Sequence, residues 1–213
     1  MPDIHDLSAT QSSKFGTRLM QIKEREDLPD NWLSTPIEDF VAAHNFEKPI
    51  KSSGVPKLLL VSCIEFRFVP EVPRNFSYVI RTAGGRVSHM PGFEFALAYI
   101  LANGVRHIVT VGHNDCGMTK VNVFKPRLVA ALIEQGWEEG QAHDFIEENA
   151  QRFEMSDEID SLEFEFIRLK SLFKKVEIAP LFVSLASNRL HLPKWYARYA
   201  SDRKFKNKFQ IAD

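Results

Sequence analysis

The sequence is poor in cysteine. Only Cys63 and Cys116 occur among its 213 residues, too few for a disulfide framework. Long apolar runs are also missing, and nothing approaches the roughly 18 residues that would cross a bilayer, so no membrane association is expected. Neither sign of charge is in excess: 27 Lys and Arg stand against 28 Asp and Glu, which gives nucleic acid no general electrostatic footing. Glycine and proline, at 10 and 11 residues, are too few for collagen-like or low-complexity architecture. The opening Met1-Pro2-Asp3-Ile4-His5-Asp6 has neither the basic start nor the apolar block of a secretory signal, so the expected location is cytoplasmic. What is present is a globular composition, 44% hydrophobic and 26% charged, long enough to bury one core.

Residues 1–55 read as a helical N-terminal arm and residues 56–213 as an α/β domain. Within the arm, Thr35-Pro36-Ile37-Glu38 is a helix start, with Thr35 as N-cap, Pro36 at the first helical position and Glu38 placed for a capping box. Phe15 to Glu26 is a weaker helical candidate. From Lys57 the pattern becomes alternating strand and helix: strands near 57–63, 77–81 and 106–112, and an apolar helix from about Gly92 to Asn103. Helices follow near 126–135 and 140–153, then a longer one carrying Ile159, Leu162, Phe166, Leu169 and Phe173 at spacings of three and four. A strand from Glu177 and a hairpin back through Leu190 to Leu192 close the domain, leaving a basic, solvated tail from Asp202. The fold class this implies is α/β, with a mainly parallel central sheet flanked by helices. The 17 Phe, with the apolar faces of helices 37–44 and 159–173, suggest a buried association surface and at least a homodimer.

Both cysteines fall where a strand gives way to a loop, and the carboxyl ends of parallel strands are where ligands bind. Cys63, His113 and Cys116 together suit Zn2+, with two thiolates, one imidazole and a tetrahedral position left open. An open position marks a catalytic zinc, because it holds water whose pKa the metal lowers to about 7. In an extended Cys63-Ile64-Glu65-Phe66-Arg67 segment, residues 63, 65 and 67 face one side, and Arg67 pairs with Glu65 to orient it beside the metal. Asp115 is read as a cap for the following helix, and His44, His89, His107 and His143 as ordinary histidines. Gly84, Gly85, Gly112 and Gly117 are read as turn and close-approach positions.

Cys63-Ile-Glu-Phe-Arg67 resembles the Cys-x-Asp-x-Arg motif of the β-class carbonic anhydrases. Gly112-His113-Asn-Asp-Cys116-Gly117 matches that family's Gly-His-x-x-Cys-Gly, and Arg81-Thr-Ala-Gly-Gly85 is similar to its Arg-Asn-Ala-Gly-Asn loop. The motifs keep the family's order over about two-thirds of the chain, and the helical segment after Cys116 is most similar to the short, archaeal-type branch. The resemblance implies zinc held by Cys63, His113 and Cys116, a Glu65–Arg67 dyad, and reversible hydration of carbon dioxide to bicarbonate without an organic cofactor. It also implies an arm that wraps a second subunit in a homodimer or higher homo-oligomer. The chain departs from the family at the dyad, where Glu65 stands for aspartate, at Phe66 in place of a small polar residue, and at Thr82 and Gly85. A bulkier, more apolar pocket arising from these changes would suit carbonyl sulfide or carbon disulfide as substrate. A longer carboxylate at Glu65 could instead close the coordination sphere and leave a non-catalytic zinc protein.

Overall fold

The computed structural model describes residues 15–200, so the tail from Asp202 and the first 14 residues lie outside the described part. In chain order the elements are β1 (Leu19–Gln21), α1 (Pro36–Asn45), β2 (Leu58–Cys63), β3 (Ser77–Thr82), α2 (Phe93–Ala102) and β4 (His107–His113). They continue with α3 (Val121–Glu134), α4 (Glu139–Phe153), α5 (Glu158–Leu172), β5 (Glu177–Val183) and β6 (Leu190–Pro193). The six described strands form one sheet in the order β1-β6-β5-β4-β2-β3. β3, β2, β4 and β5 run parallel, while β6 returns antiparallel on β5 and β1 pairs antiparallel with β6. No helix among the described residues is long and apolar enough to cross a membrane.

The central strands read as continuous apolar runs because helices cover both their faces. Every residue of β2 is buried, as are all but His107 and Gly112 of β4, whereas edge strand β3 is exposed or half-buried throughout. Helix α5 buries Ile159, Leu162, Phe166 and Leu169 and contacts β4 and β5. Thr35 caps α1 by accepting from the Ile37 N–H, and Pro36 sits at its first position. The expected capping box does not close, because Glu38 accepts from the Ser34 N–H and pairs with Arg25 instead.

Three expectations about packing are corrected. The 15–26 stretch supplies strand β1 rather than a helix over its middle, because β6 offers it a free edge. The face of α1 is not an association surface: Ile37, Phe40 and Val41 are buried in the chain's own main core beside Trp32. The same holds for the periodic face of α5, most of which is buried within the chain. Helix α3 starts at Val121, five residues ahead of the expected boundary, and carries Pro126 in its interior.

His44, near the end of α1, ties that helix to two later segments. Its Nε2 accepts the Glu71 N–H at 3.1 Å, and its Nδ1 lies 3.4 Å from the Asn188 carbonyl oxygen. Burial holds His44 below the usual imidazole range, and does the same for His107 and His191. Each is therefore neutral in the fold, while the unfolded chain takes up protons below about pH 6.5. Stability should be full above that pH and fall as acid is added toward the folded-state values. Urea unfolding should show a lower midpoint at about pH 5.5 than at about pH 7.5, with a smaller difference in His44→Asn.

Candidate metal centre

Strand order places β2 and β4 side by side, yet β3 lies to one side of the pair and β5 to the other. The chain thus winds away in opposite directions from β2 and β4, and a crevice opens beyond their carboxyl ends. Cys63 is the last residue of β2 and His113 the last of β4, so both project into that crevice, and the turn after His113 adds Cys116. The metal-ligand atoms of Cys63, His113 and Cys116 all lie within 4.8 Å of one another. All three residues are buried, at 6%, 4% and 3% exposure.

The donor set fits a metal ion. The two sulfurs stand 4.0 Å apart and are not bonded. Two thiolates on one tetrahedral zinc, each at roughly 2.3 Å, would be about 3.8 Å apart. His113 Nδ1 is held 2.9 Å from the Asn114 carbonyl oxygen, which assigns the proton to Nδ1 and leaves the lone pair on Nε2. That Nε2 is buried and has no hydrogen-bond partner, an orphaned acceptor of the kind a metal satisfies. The Cys63 thiol is drawn down to about 4, chiefly because Cys116 donates to its sulfur; burial opposes this and His113 assists. The donating Cys116 is pushed upward by the same bond and by burial. Burial works against protonation of His113, but the neighbouring Cys63 thiolate and the Asn114 carbonyl outweigh it and raise its basicity.

Several backbones brace this centre. Arg81 Nε donates to the Cys63 carbonyl at 2.8 Å, and its Nη2 donates to the carbonyls of Phe68 and Glu65. Asn114 Oδ1 accepts the Leu185 N–H at 2.9 Å, tying the turn to the end of β5. At Gly84, φ is +65° and a Cβ would fall 2.4 Å from Met155 Cε, so the loop after β3 presses on the methionines beside the cysteines. Gly117 has open space around its missing side chain, so the close-approach reading does not extend to it.

Glu65 and Arg67 meet, though not as an extended segment would bring them. The chain turns after Cys63, with the Phe68 N–H bonded to the Glu65 carbonyl at 3.3 Å. Arg67 Nε and Nη2 grip Glu65 Oε1 and Oε2 at 2.7 and 2.8 Å, and the Arg67 N–H adds a bond to Oε1 at 2.9 Å. The Arg67 guanidinium holds the Glu65 carboxyl below its ordinary range, so it is ionised at neutral pH. Glu65 is not in the cluster of mutually close donors, and both of its oxygens are engaged by arginine.

Two more readings change. Phe66 does not enlarge a pocket, because the turn sends its side chain outward to 85% exposure. Asp115 does not cap a helix: Cys116 precedes the 3₁₀ turn Gly117–Lys120, with no side-chain cap, and Asp115 Oδ2 instead accepts from Arg67 Nη1 at 3.2 Å. The sequence signal for that contact was an acidic residue between two candidate ligands, which fitted a cap equally well.

The same fold occurs in solved β-class carbonic anhydrases. The isoform I enzyme from Trichomonas vaginalis superposes with a TM-score of 0.53 and 21% identity, covering 68% of this chain and 87% of that one. The carbonic anhydrase from Streptococcus mutans gives a TM-score of 0.50 and 19% identity over 70% of this chain and 89% of that one. A curated carbonic anhydrase from Pseudomonas aeruginosa is 31% identical over 106 residues, 43% of this chain. The match spans 46% of that relative, less than half its length. No protein-family model matches the chain.

Proposed function

We propose that the protein is a zinc-dependent carbonic anhydrase that interconverts carbon dioxide and bicarbonate. One observation carries this reading: a buried Cys63–His113–Cys116 donor set at the carboxyl ends of β2 and β4, with an ionised Glu65 clamped by Arg67 in the adjoining turn. Fold likeness to β-class enzymes and partial sequence likeness to a carbonic anhydrase support it.

In this reading Cys63, His113 and Cys116 hold Zn2+, which when bound supplies a Lewis acid that acidifies water for attack on carbon dioxide. His113 keeps its Nδ1 proton on the Asn114 carbonyl and so presents Nε2 in the ligating tautomer. Glu65 is an acceptor for the proton of the attacking water, and Arg67 fixes its carboxylate and keeps it charged. The engagement of both Glu65 oxygens by arginine favours an open fourth position over the closed, non-catalytic arrangement. Phe66 faces away from its own chain's centre, and the likeness to carbonic anhydrases favours carbon dioxide over carbonyl sulfide or carbon disulfide as substrate.

The setting we propose is cytoplasmic, without nucleic-acid or membrane partners, in the short, archaeal-type branch suggested by the helix after Cys116. Ile64, Phe66 and Val69 are all exposed on the loop beside the centre, which supports a second copy covering it in a homodimer or larger homo-oligomer. Sedimentation equilibrium should return at least twice the chain mass. The functional test is stopped-flow carbon dioxide hydration on zinc-verified protein between about pH 7 and pH 9. Fast hydration that chelation removes and added zinc restores is expected; full zinc occupancy with no hydration would overturn the reading.

A further inference from the structure

The ion-pair chain at the metal centre does not stop at Arg67. Its guanidinium gives the Nε and Nη2 edge to Glu65, and at its far side Nη1 donates to Asp115 Oδ2 at 3.2 Å. Nη2 also reaches the Asp115 carbonyl oxygen at 3.4 Å. The second carboxylate oxygen, Oδ1, accepts from Lys120 Nζ at 2.8 Å, so both oxygens of Asp115 are engaged. Arg67 is thus a planar group gripped on two sides.

We infer that Asp115 is a positioning residue for Glu65, acting through Arg67; this rests on the proposed carbonic anhydrase reading. Glu65 and Arg67 are two residues apart, and a pair so local can move as a unit with its own turn. Arg81 bonds carbonyls of residues 63, 65 and 68, which fixes the backbone of that turn but none of its side chains. Asp115 lies between His113 and Cys116 in the chain, so its carboxylate and carbonyl belong to the loop that bears two of the ligands. Gripping Arg67 from there references the Glu65 carboxylate to the ligands themselves. A rigid guanidinium transmits orientation in a way that a flexible ammonium does not.

The backbone supports the same reading. Asp115 has φ +55°, in the left-handed region that glycine takes freely and that aspartate and asparagine tolerate better than other side chains. Its side chain is 36% exposed, where an ion pair adds little to stability. The Asp115 carboxylate thus contributes little to holding the fold, while its contacts converge on Arg67 and Lys120.

Asp115→Gly separates the two roles, since it removes the carboxylate and relieves the backbone. We expect an unchanged or higher thermal midpoint, one zinc per chain, and kcat for hydration lower by roughly 10- to 100-fold with little change in KM. Asp115→Asn, equally tolerant of the backbone angle and able to accept one bond, should fall between the two and guards against a folding defect in the glycine variant. In an Arg67→Ala background, Asp115→Gly should add no further loss, whereas a merely structural residue would lose as much in both backgrounds. Apart from activity, the Arg67 Nε–H resonance in ¹⁵N NMR should be sharp in the wild type and broadened in Asp115→Gly. Wild-type kcat in both variants, an equal loss in both backgrounds, or an unperturbed Arg67 resonance would each overturn the inference. If zinc-loaded wild type hydrates no carbon dioxide, the functional reading falls, and the resonance alone decides whether Asp115 fixes Arg67.

Discussion

Cys63→Ser protein should purify with well under one zinc per chain and hydrate carbon dioxide at least about 100-fold more slowly than wild type. Substitutions outside the ligand sphere typically lower metal affinity or activity by 10- to 100-fold, and loss of a ligand should exceed that. Cys63 is the ligand candidate whose thiol is drawn down, by its neighbours Cys116 and His113. A serine hydroxyl is both harder and far less acidic than a thiol, so it competes poorly for a borderline-soft ion. Cys63 also ends a fully buried strand, and serine fits its volume, so the sheet should remain intact. Zinc analysis by mass spectrometry with circular dichroism checks the expectation. A folded variant that retains both stoichiometric zinc and wild-type hydration would remove Cys63 from the ligand set.

Arg67→Ala should keep its zinc but lose about 100-fold in kcat. The substitution removes the two guanidinium bonds to Glu65, leaving only the backbone N–H on Oε1, and it also frees Asp115 from Nη1. The released Glu65 carboxylate can sample rotamers in which it no longer faces the reacting water, and misplacement by about 1 Å is enough for a loss of that size. Its pKa should also rise toward the ordinary carboxylate value, because Arg67 is the leading cause of its depression. Metal content equal to wild type with a 100-fold lower kcat would separate this role from ligation. Unchanged kcat would show that Glu65 orientation does not limit the reaction.

Much of this was legible in the sequence, for identifiable reasons. Runs near 57–63 and 106–112 stand out in the sequence, within a residue of the strands they form, because strands covered on both faces need largely apolar residues. The Cys63–His113–Cys116 set stood out because cysteine is so rare here that two at strand ends demanded an explanation. Other features depended on distant partners. Leu19–Gln21 is a strand only because β6, some 170 residues later, presents its edge. The apolar face of α1 looked unpartnered because the sheet that buries it comes later in the chain. The outward turn of Phe66 follows from the Glu65–Phe68 turn, which strict alternation could not anticipate. Asp115 reads as a cap in the sequence because its actual partner, Arg67, is 48 residues away.

The side-by-side placement of β2 and β4 also bears on how the chain reaches its native state. Between these neighbours the chain makes β3 and α2, so their pairing must close a long loop before any hydrogen bond forms across it. Such nonlocal parallel pairing is slow, and Cys63 cannot meet His113 and Cys116 until it is complete. A zinc ion held by all three donors would therefore not template the early stages of folding, and should slow unfolding of the finished sheet far more than it accelerates refolding. The ion would act as a latch on an assembled structure.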